Sequence, residues 1–91
     1  MIKTIVIEEK LKSLSGWSYN SKKNCIEKEF YFKSYLKNIS FVNAVAWLAN
    51  KENHHPDLEV SFGRCLVQLA THDENGVGQK DFSLAQKINE L

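Results

Sequence analysis

The sequence has no excess of charge, no cysteine framework and no long apolar run, and each absence removes a class of function. Twelve Lys and Arg face eleven Asp and Glu, a formal net charge of +1 with the histidines neutral. No overall field therefore favours nucleic acid or an anionic membrane surface. The densest basic stretch, Ser21-Lys22-Lys23-Asn24, reads as a polar turn. Two cysteines, Cys25 and Cys65, stand far apart in alternating segments. A disulfide staple is not expected from so few, and each should behave as a small hydrophobe. The run from Met1 to Ile7 is largely apolar but meets Glu8-Glu9-Lys10 at once. It lacks the apolar core and small-residue cleavage site of a signal peptide. Nowhere do enough apolar residues follow one another to span a bilayer. A reducing cytoplasm is the expected setting. Internal repeats, low-complexity runs and linkers are also missing.

What is present suits one compact domain over residues 1–91. The chain is 43% hydrophobic, ordinary for a globular protein. A domain this small buries only part of its surface, so association into a homodimer or larger assembly is an expected remedy.

The elements follow from periodicity. Thr4 is placed to cap a first helix carrying Ile7, Leu11 and Leu14, ended by Ser15-Gly16. Trp17 and Tyr19 alternate with polar residues in a short strand, and after the Ser21–Asn24 turn a second strand runs from Cys25 to Tyr31 or Phe32. Ser34 caps the longest helix, Tyr35 to Lys51. Its stripe of Tyr35, Ile39, Val42, Ala46 and Ala49, broadened by Leu36, Val45 and Leu48, is wide enough to cover a sheet. Trp47 lies off that stripe and is a candidate protein contact, although such a Trp is more often simply partly buried.

Leu58, Val60 and Phe62 then alternate with Glu59 and Ser61. Gly63-Arg64 fits a two-residue type II′ turn, with Phe62 facing Cys65. Cys65, Val67, Leu69 and Thr71 share one face of the return strand. Lys80 to Leu91 forms a last helix burying Leu84, Ile88 and Leu91. The expected fold is α+β: a four-stranded antiparallel sheet covered on one face by helices, in the order α-β-β-α-β-β-α.

Counting back along that hairpin places His55 opposite His72 and His54 opposite Asp73. Opposed Cβ atoms in an antiparallel pair lie about 4.5–5.5 Å apart. All three histidines of the chain are thus expected at one end of one hairpin. Imidazole titrates near neutrality and moves protons in both directions, so three together supply a base, an acid and a positioner. Zinc is the obvious rival. However, adjacent His54 and His55 on an extended chain point to opposite sides, and no further Cys or Glu ligand stands at the usual spacing. No metal is expected. Cysteine nucleophiles fit less well, because Cys25 is remote in sequence and Cys65 should face the core.

His54-His55-Pro56-Asp57, Phe62, Thr71-His72-Asp73 and Asp81 resemble the signature of pterin-4a-carbinolamine dehydratases. Gly16-Trp17, Phe30-Tyr31-Phe32 and Asp81-Phe82-Ser83-Leu84-Ala85 extend that resemblance over nearly the whole chain. It implies a lyase that removes water from 4a-hydroxytetrahydropterin to give quinonoid dihydropterin, sustaining tetrahydrobiopterin recycling without metal or organic cofactor. His54 and His72 would be the acid and base groups, with His55 chiefly binding the pterin. Pro56, Ala70, Thr71 and Asp73 would be substrate-binding, the backbone at Ala70-Thr71 lying along the flat ring. Asp81 would orient a histidine, or else serve the dipole of the helix it begins.

Two positions depart from the family pattern. Asn50 stands where an acid is usual, four residues before the first histidine, and would keep a hydrogen bond to His54 without the charge. Gly78 stands where a capping Thr is common. The resemblance also admits a second role, since some family members act as protein-binding cofactors or assembly factors. A sheet-based RNA binder has Trp17, Tyr19, Phe30 and Tyr31 in its favour but lacks a basic sheet face and an RNP-like motif.

Overall fold

A computed structural model describes residues 3–91 of the chain. Met1 and Ile2, the start of the apolar N-terminal run, lie outside the described residues. The elements are α1 (Thr4–Leu11), β1 (Ser18–Asn20), β2 (Cys25–Tyr31), α2 (Tyr35–Glu52), β3 (Asp57–Ser61), β4 (Arg64–Leu69) and α3 (Gln79–Asn89). A short 3-10 turn over His72–Glu74 separates β4 from α3. The strands form one antiparallel sheet in the order β1-β2-β4-β3. The fold is therefore the α-β-β-α-β-β-α arrangement, with the helices on one face.

Alternation decides which face is covered. Ile26, Cys65, Val67 and Leu69 join Ile7, Val45, Leu84, Ala85 and Ile88 in one buried cluster. The in-between positions, Glu27, Gln68 and Asp57 in one row and Glu29, Leu66 and Glu59 in the next, pair across the opposite, uncovered face. Glu29 forms an ion pair there with Arg64 of the neighbouring strand. That contact holds the Glu29 carboxyl below the usual carboxylate range.

Several local expectations need correction. Lys3, not Thr4, is the N-cap of α1, and no side chain caps it. This helix stops at Leu11, earlier than Ser15-Gly16. Single turns then carry the chain on, and Leu14 is still buried. Leu91 lies past the end of α3 and is 56% exposed, so it is not core.

The face that α2 presents is also different. Ser34 caps it as expected, accepting a hydrogen bond from Lys37 N at 3.1 Å. However, its buried residues are Asn38, Val45 and Ala49, with Phe41, Val42 and Leu48 packed beside the core. Tyr35, Leu36 and Ala46 are exposed. The reason is Asn38, whose Nδ2 donates to Ser61 O at 2.7 Å and Arg64 O at 3.0 Å. Those carbonyls belong to the ends of the β3–β4 hairpin, and satisfying them rotates α2 toward its polar Asn. Trp47, rather than being partly buried, is 63% exposed, with Lys51 Nζ 5.3 Å from its ring centre.

The hairpin itself turns one residue earlier than expected. Ser61 pairs with Arg64, so Phe62 and Gly63 are the turn residues and Phe62 does not face Cys65. Gly63 is not in the left-handed region that a leading type II′ glycine needs. Its smallness serves a close approach instead. A Cβ there would lie 2.5 Å from Phe32 O, and Phe32 N donates to Gly63 O at 2.8 Å. Gly63→Ala is accordingly expected to cost about 1–3 kcal/mol. Thermal denaturation should show this as a fall of roughly 4–8 °C in Tm for each kcal/mol.

Candidate functional site

The end of α2 sets the first histidine. Asn53 takes the left-handed conformation (φ 52°), one of the few side chains that tolerates it. His54 N then bonds back to Ala49 O at 3.0 Å, which closes the last turn. The chain leaves through His55 and Pro56 into β3. On the other side β4 ends at Leu69, and Thr71 pairs with Gly76 across a tight loop, Thr71 N donating to Gly76 O at 2.7 Å. That loop contains His72, so this histidine sits in the 3-10 turn and not on an extended strand. The strict strand pairing of His55 with His72 is therefore not formed. Convergence survives by another route.

One cleft of about 360 Å³ is lined by all three histidines together with Pro56, Thr71 and Asp73. Asn53, Asp57 and Lys80 complete it. Asp57 was visible as part of the His-His-Pro-Asp run, whereas nothing marked Asn53 or Lys80 beyond their nearness to His54 and Asp81. Ala70 does not line this cleft but an adjoining one, which shares Asp57 and His72 with it.

Behind the cleft lies Asp81, fully buried in the first turn of α3. Its carboxylate accepts three hydrogen bonds. Oδ1 accepts from His54 Nε2 at 2.5 Å, and Oδ2 accepts from Thr71 Oγ1 at 2.9 Å and Gly78 N at 2.8 Å. Capping and histidine orientation, separate readings in the sequence, are thus performed by one group. A carboxylate can only accept, so His54 carries its proton on Nε2 and leaves Nδ1 to exchange one. The His54 side chain is 12% exposed; His55 and His72 are exposed. Gly78 has an extended backbone that any residue adopts. A Cβ there would lie 2.8 Å from Glu74 Oε2, the movable end of an exposed side chain, and 3.1 Å from Thr71 Oγ1, so a capping Thr would need small shifts of both.

Asn50 is not part of this arrangement. It is exposed on α2, and among the described residues its side chain is not hydrogen-bonded to His54. Among the described residues, too, no three His, Cys, Asp or Glu side chains form a metal-holding group.

Cys25 and Cys65 are both free thiols and buried. Cys25 lines the adjoining cleft, where burial first and the Glu27 charge second push its pKa up to about 11. At pH 8 only about a thousandth of it is then thiolate, the reactive form. Alkylation of the native protein is expected to be slow at pH 8 and to accelerate about tenfold per pH unit toward 11. Rapid modification at pH 8, read by mass spectrometry, would contradict this environment.

Comparison with known proteins identifies the family. Residues 2–91 match the family model described as pterin 4 alpha carbinolamine dehydratase. A Nitrosospira multiformis protein, named provisionally as such a dehydratase, is 44% identical over 85 residues, covering 93% of this chain and 74% of its own. A Sulfolobus acidocaldarius protein with the same provisional name is 41% identical, covering 93% and 91%. The crystal structure of a transcriptional coactivator/pterin dehydratase from Brucella melitensis superposes with a TM-score of 0.92 at 34% identity, over 98% of this chain and 95% of that one. A pterin dehydratase-like protein identified as a RuBisCO assembly factor in the alpha-carboxysome superposes with a TM-score of 0.71. At 21% identity, over 82% of this chain and 87% of that one, it shows the shared fold alone.

Proposed function

The chain belongs to the pterin-4α-carbinolamine dehydratase family, and from that premise we propose that it dehydrates 4a-hydroxytetrahydrobiopterin to quinonoid dihydropterin. The observation that carries this reading is the His54–Asp81 pair beside His72 in one cleft. Elimination requires a proton to leave N5 and the 4a-hydroxyl to depart as water. His54, fixed in one tautomer by Asp81, and His72, across the cleft, are the acid and base groups. His55 holds the pterin, with Pro56, Asp73 and the Ala70-Thr71 backbone. Asn50 would influence the site only from a distance. Proton transfer of this kind uses no metal or organic cofactor, and the enzyme would act in the cytoplasm as a single domain.

A second reading has its own observation. Tyr35, Leu36, Trp47 and Phe62 are exposed, and Tyr35 and Phe62 stack with ring centres 6.2 Å apart. Leu36 and Trp47, eleven residues apart, share a face of α2. Apolar patches of this kind mark protein contacts. They suit a homodimer or homotetramer, or a protein-binding role of the kind some relatives have.

The deciding experiment is dehydration of chemically generated 4a-hydroxytetrahydropterin, followed by absorbance. A rate well above the uncatalysed one, proportional to enzyme, is expected. Folded but inactive wild-type protein would overturn the enzyme reading in favour of the binding one.

A further inference from the structure

The histidine cleft does not end at His72. A second cleft of about 250 Å³ opens beside it on the uncovered face of the sheet, and His72 and Asp57 line both. Cys25, Gln68 and Ala70 line its sheet side, and Lys23 and Asn75 belong to the loops around it. These segments are tied together. Asn24 Nδ2 donates to Asn75 O at 2.7 Å, and Tyr19 OH donates to Asn24 Oδ1 at 2.7 Å. Gln68 Nε2 donates to Glu27 Oε1 at 2.8 Å. The cleft is therefore preformed, as small-molecule sites usually are.

Its chemistry is mixed. Lys23 supplies an ammonium, Asp57 a carboxylate, and Gln68 and Asn24 amides, while the small Cys25, Ala70 and Gly76 add apolar surface between them. Hydroxyl groups both donate and accept, and so match such a lining. An acidic chain would meet Asp57, with Glu27 next to Gln68. A bare methyl would take up water's place without replacing its hydrogen bonds.

The connection to the reaction is covalent. In a pterin, C6 is bonded directly to N5, the atom that loses its proton. A ring with N5 in reach of His72 brings C6 to the wall the two clefts share. Resting on the dehydratase reading above, we propose that this second cleft receives the hydroxylated C6 side chain of the pterin. It then selects substrates bearing a short polyol over those bearing a methyl.

The test compares 4a-hydroxy substrates carrying a 6-dihydroxypropyl or a 6-methyl group. In Gln68→Met and Lys23→Ala the ratio of kcat/KM, dihydroxypropyl over methyl, is expected to fall about fivefold or more, as one or two lost hydrogen bonds would cause. A ratio within about twofold of wild type in both variants would overturn the inference, since even one lost bond exceeds that. If Gln68→Met fails to fold by circular dichroism, Lys23→Ala at the exposed rim decides alone. Fluorescence titration of the same proteins with oxidised biopterin and 6-methylpterin separates the two failures. Tighter biopterin binding by wild type, lost in the variants, supports the cleft even where neither substrate is dehydrated. Equal affinities in wild type reject the cleft while leaving any dehydratase activity standing.

Discussion

His54→Ala and His72→Ala are each expected to lower kcat for dehydration by about 10²- to 10⁴-fold, the contribution of one positioned proton-transfer group. The two differ in what else they disturb. His72 is exposed and its side chain is not hydrogen-bonded or ion-paired among the described residues, so its loss should leave stability near wild type. Removing His54 leaves the buried Asp81 short of one donor, which costs stability as well as rate. His54→Gln is therefore the sharper variant. Its amide can donate to Asp81 Oδ1 yet cannot shuttle a proton, so it should fold and remain slow. His55→Ala, by contrast, should act mainly on KM. The double variant His54→Ala/His72→Ala should lose less than the product of the single losses, because acid and base act as one unit. Near-wild-type kcat in both His54→Gln and His72→Ala would remove these groups from the reaction.

Much of this was legible in the chain because strand period and face are read from alternation. The hairpin expectation erred by one residue in its turn, yet the faces stayed right. Shifting the turn by one residue moves every pairing by two positions, and a side chain two positions along a strand is on the same side. Leu58, Cys65, Val67 and Leu69 therefore packed against the core as read. Gly63 misled because it suits a type II′ turn, whereas its actual constraint, the nearness of Phe32 O, comes from the chain just past β2, more than thirty residues away. Asn38 was illegible for the same reason. Its partners are carbonyls of a distant hairpin, and apolar periodicity gives a buried Asn no weight. Of the site, the histidines were found together, although His72 reaches the cleft from a 3-10 turn and not a strand. Their convergence was thus right in outcome and wrong in geometry. Asp81 was noticed, but its two readings could not be joined until α3 was seen to begin against His54.

Asp81→Asn is expected to produce the second large effect, through position rather than contact with the substrate. The carboxylate accepts from three donors at once, and an amide cannot. If Asn keeps its oxygen toward Gly78 N and Thr71 Oγ1, its NH₂ faces His54 Nε2. The ring must then move its proton to Nδ1, and the nitrogen that served the cleft as acceptor becomes a donor. If Asn turns the other way, its NH₂ meets the Gly78 N–H and one bond of the helix cap is lost. The first arrangement breaks fewer bonds, so the altered tautomer should prevail and kcat should fall about 10²- to 10⁴-fold, the range of a misassigned acid–base group. A stability loss of roughly 1–3 kcal/mol should accompany it, from one charge-assisted bond weakened or broken. Two readouts distinguish positioning from simple structural damage. The ¹⁵N shifts of His54 should report the change from Nε2–H to Nδ1–H, and KM should change far less than kcat. Unchanged shifts with a proportionate loss of stability and rate would reduce Asp81 to a helix cap. Asp81→Ala should be worse for folding, since His54, Thr71 and Gly78 would all lose their acceptor together.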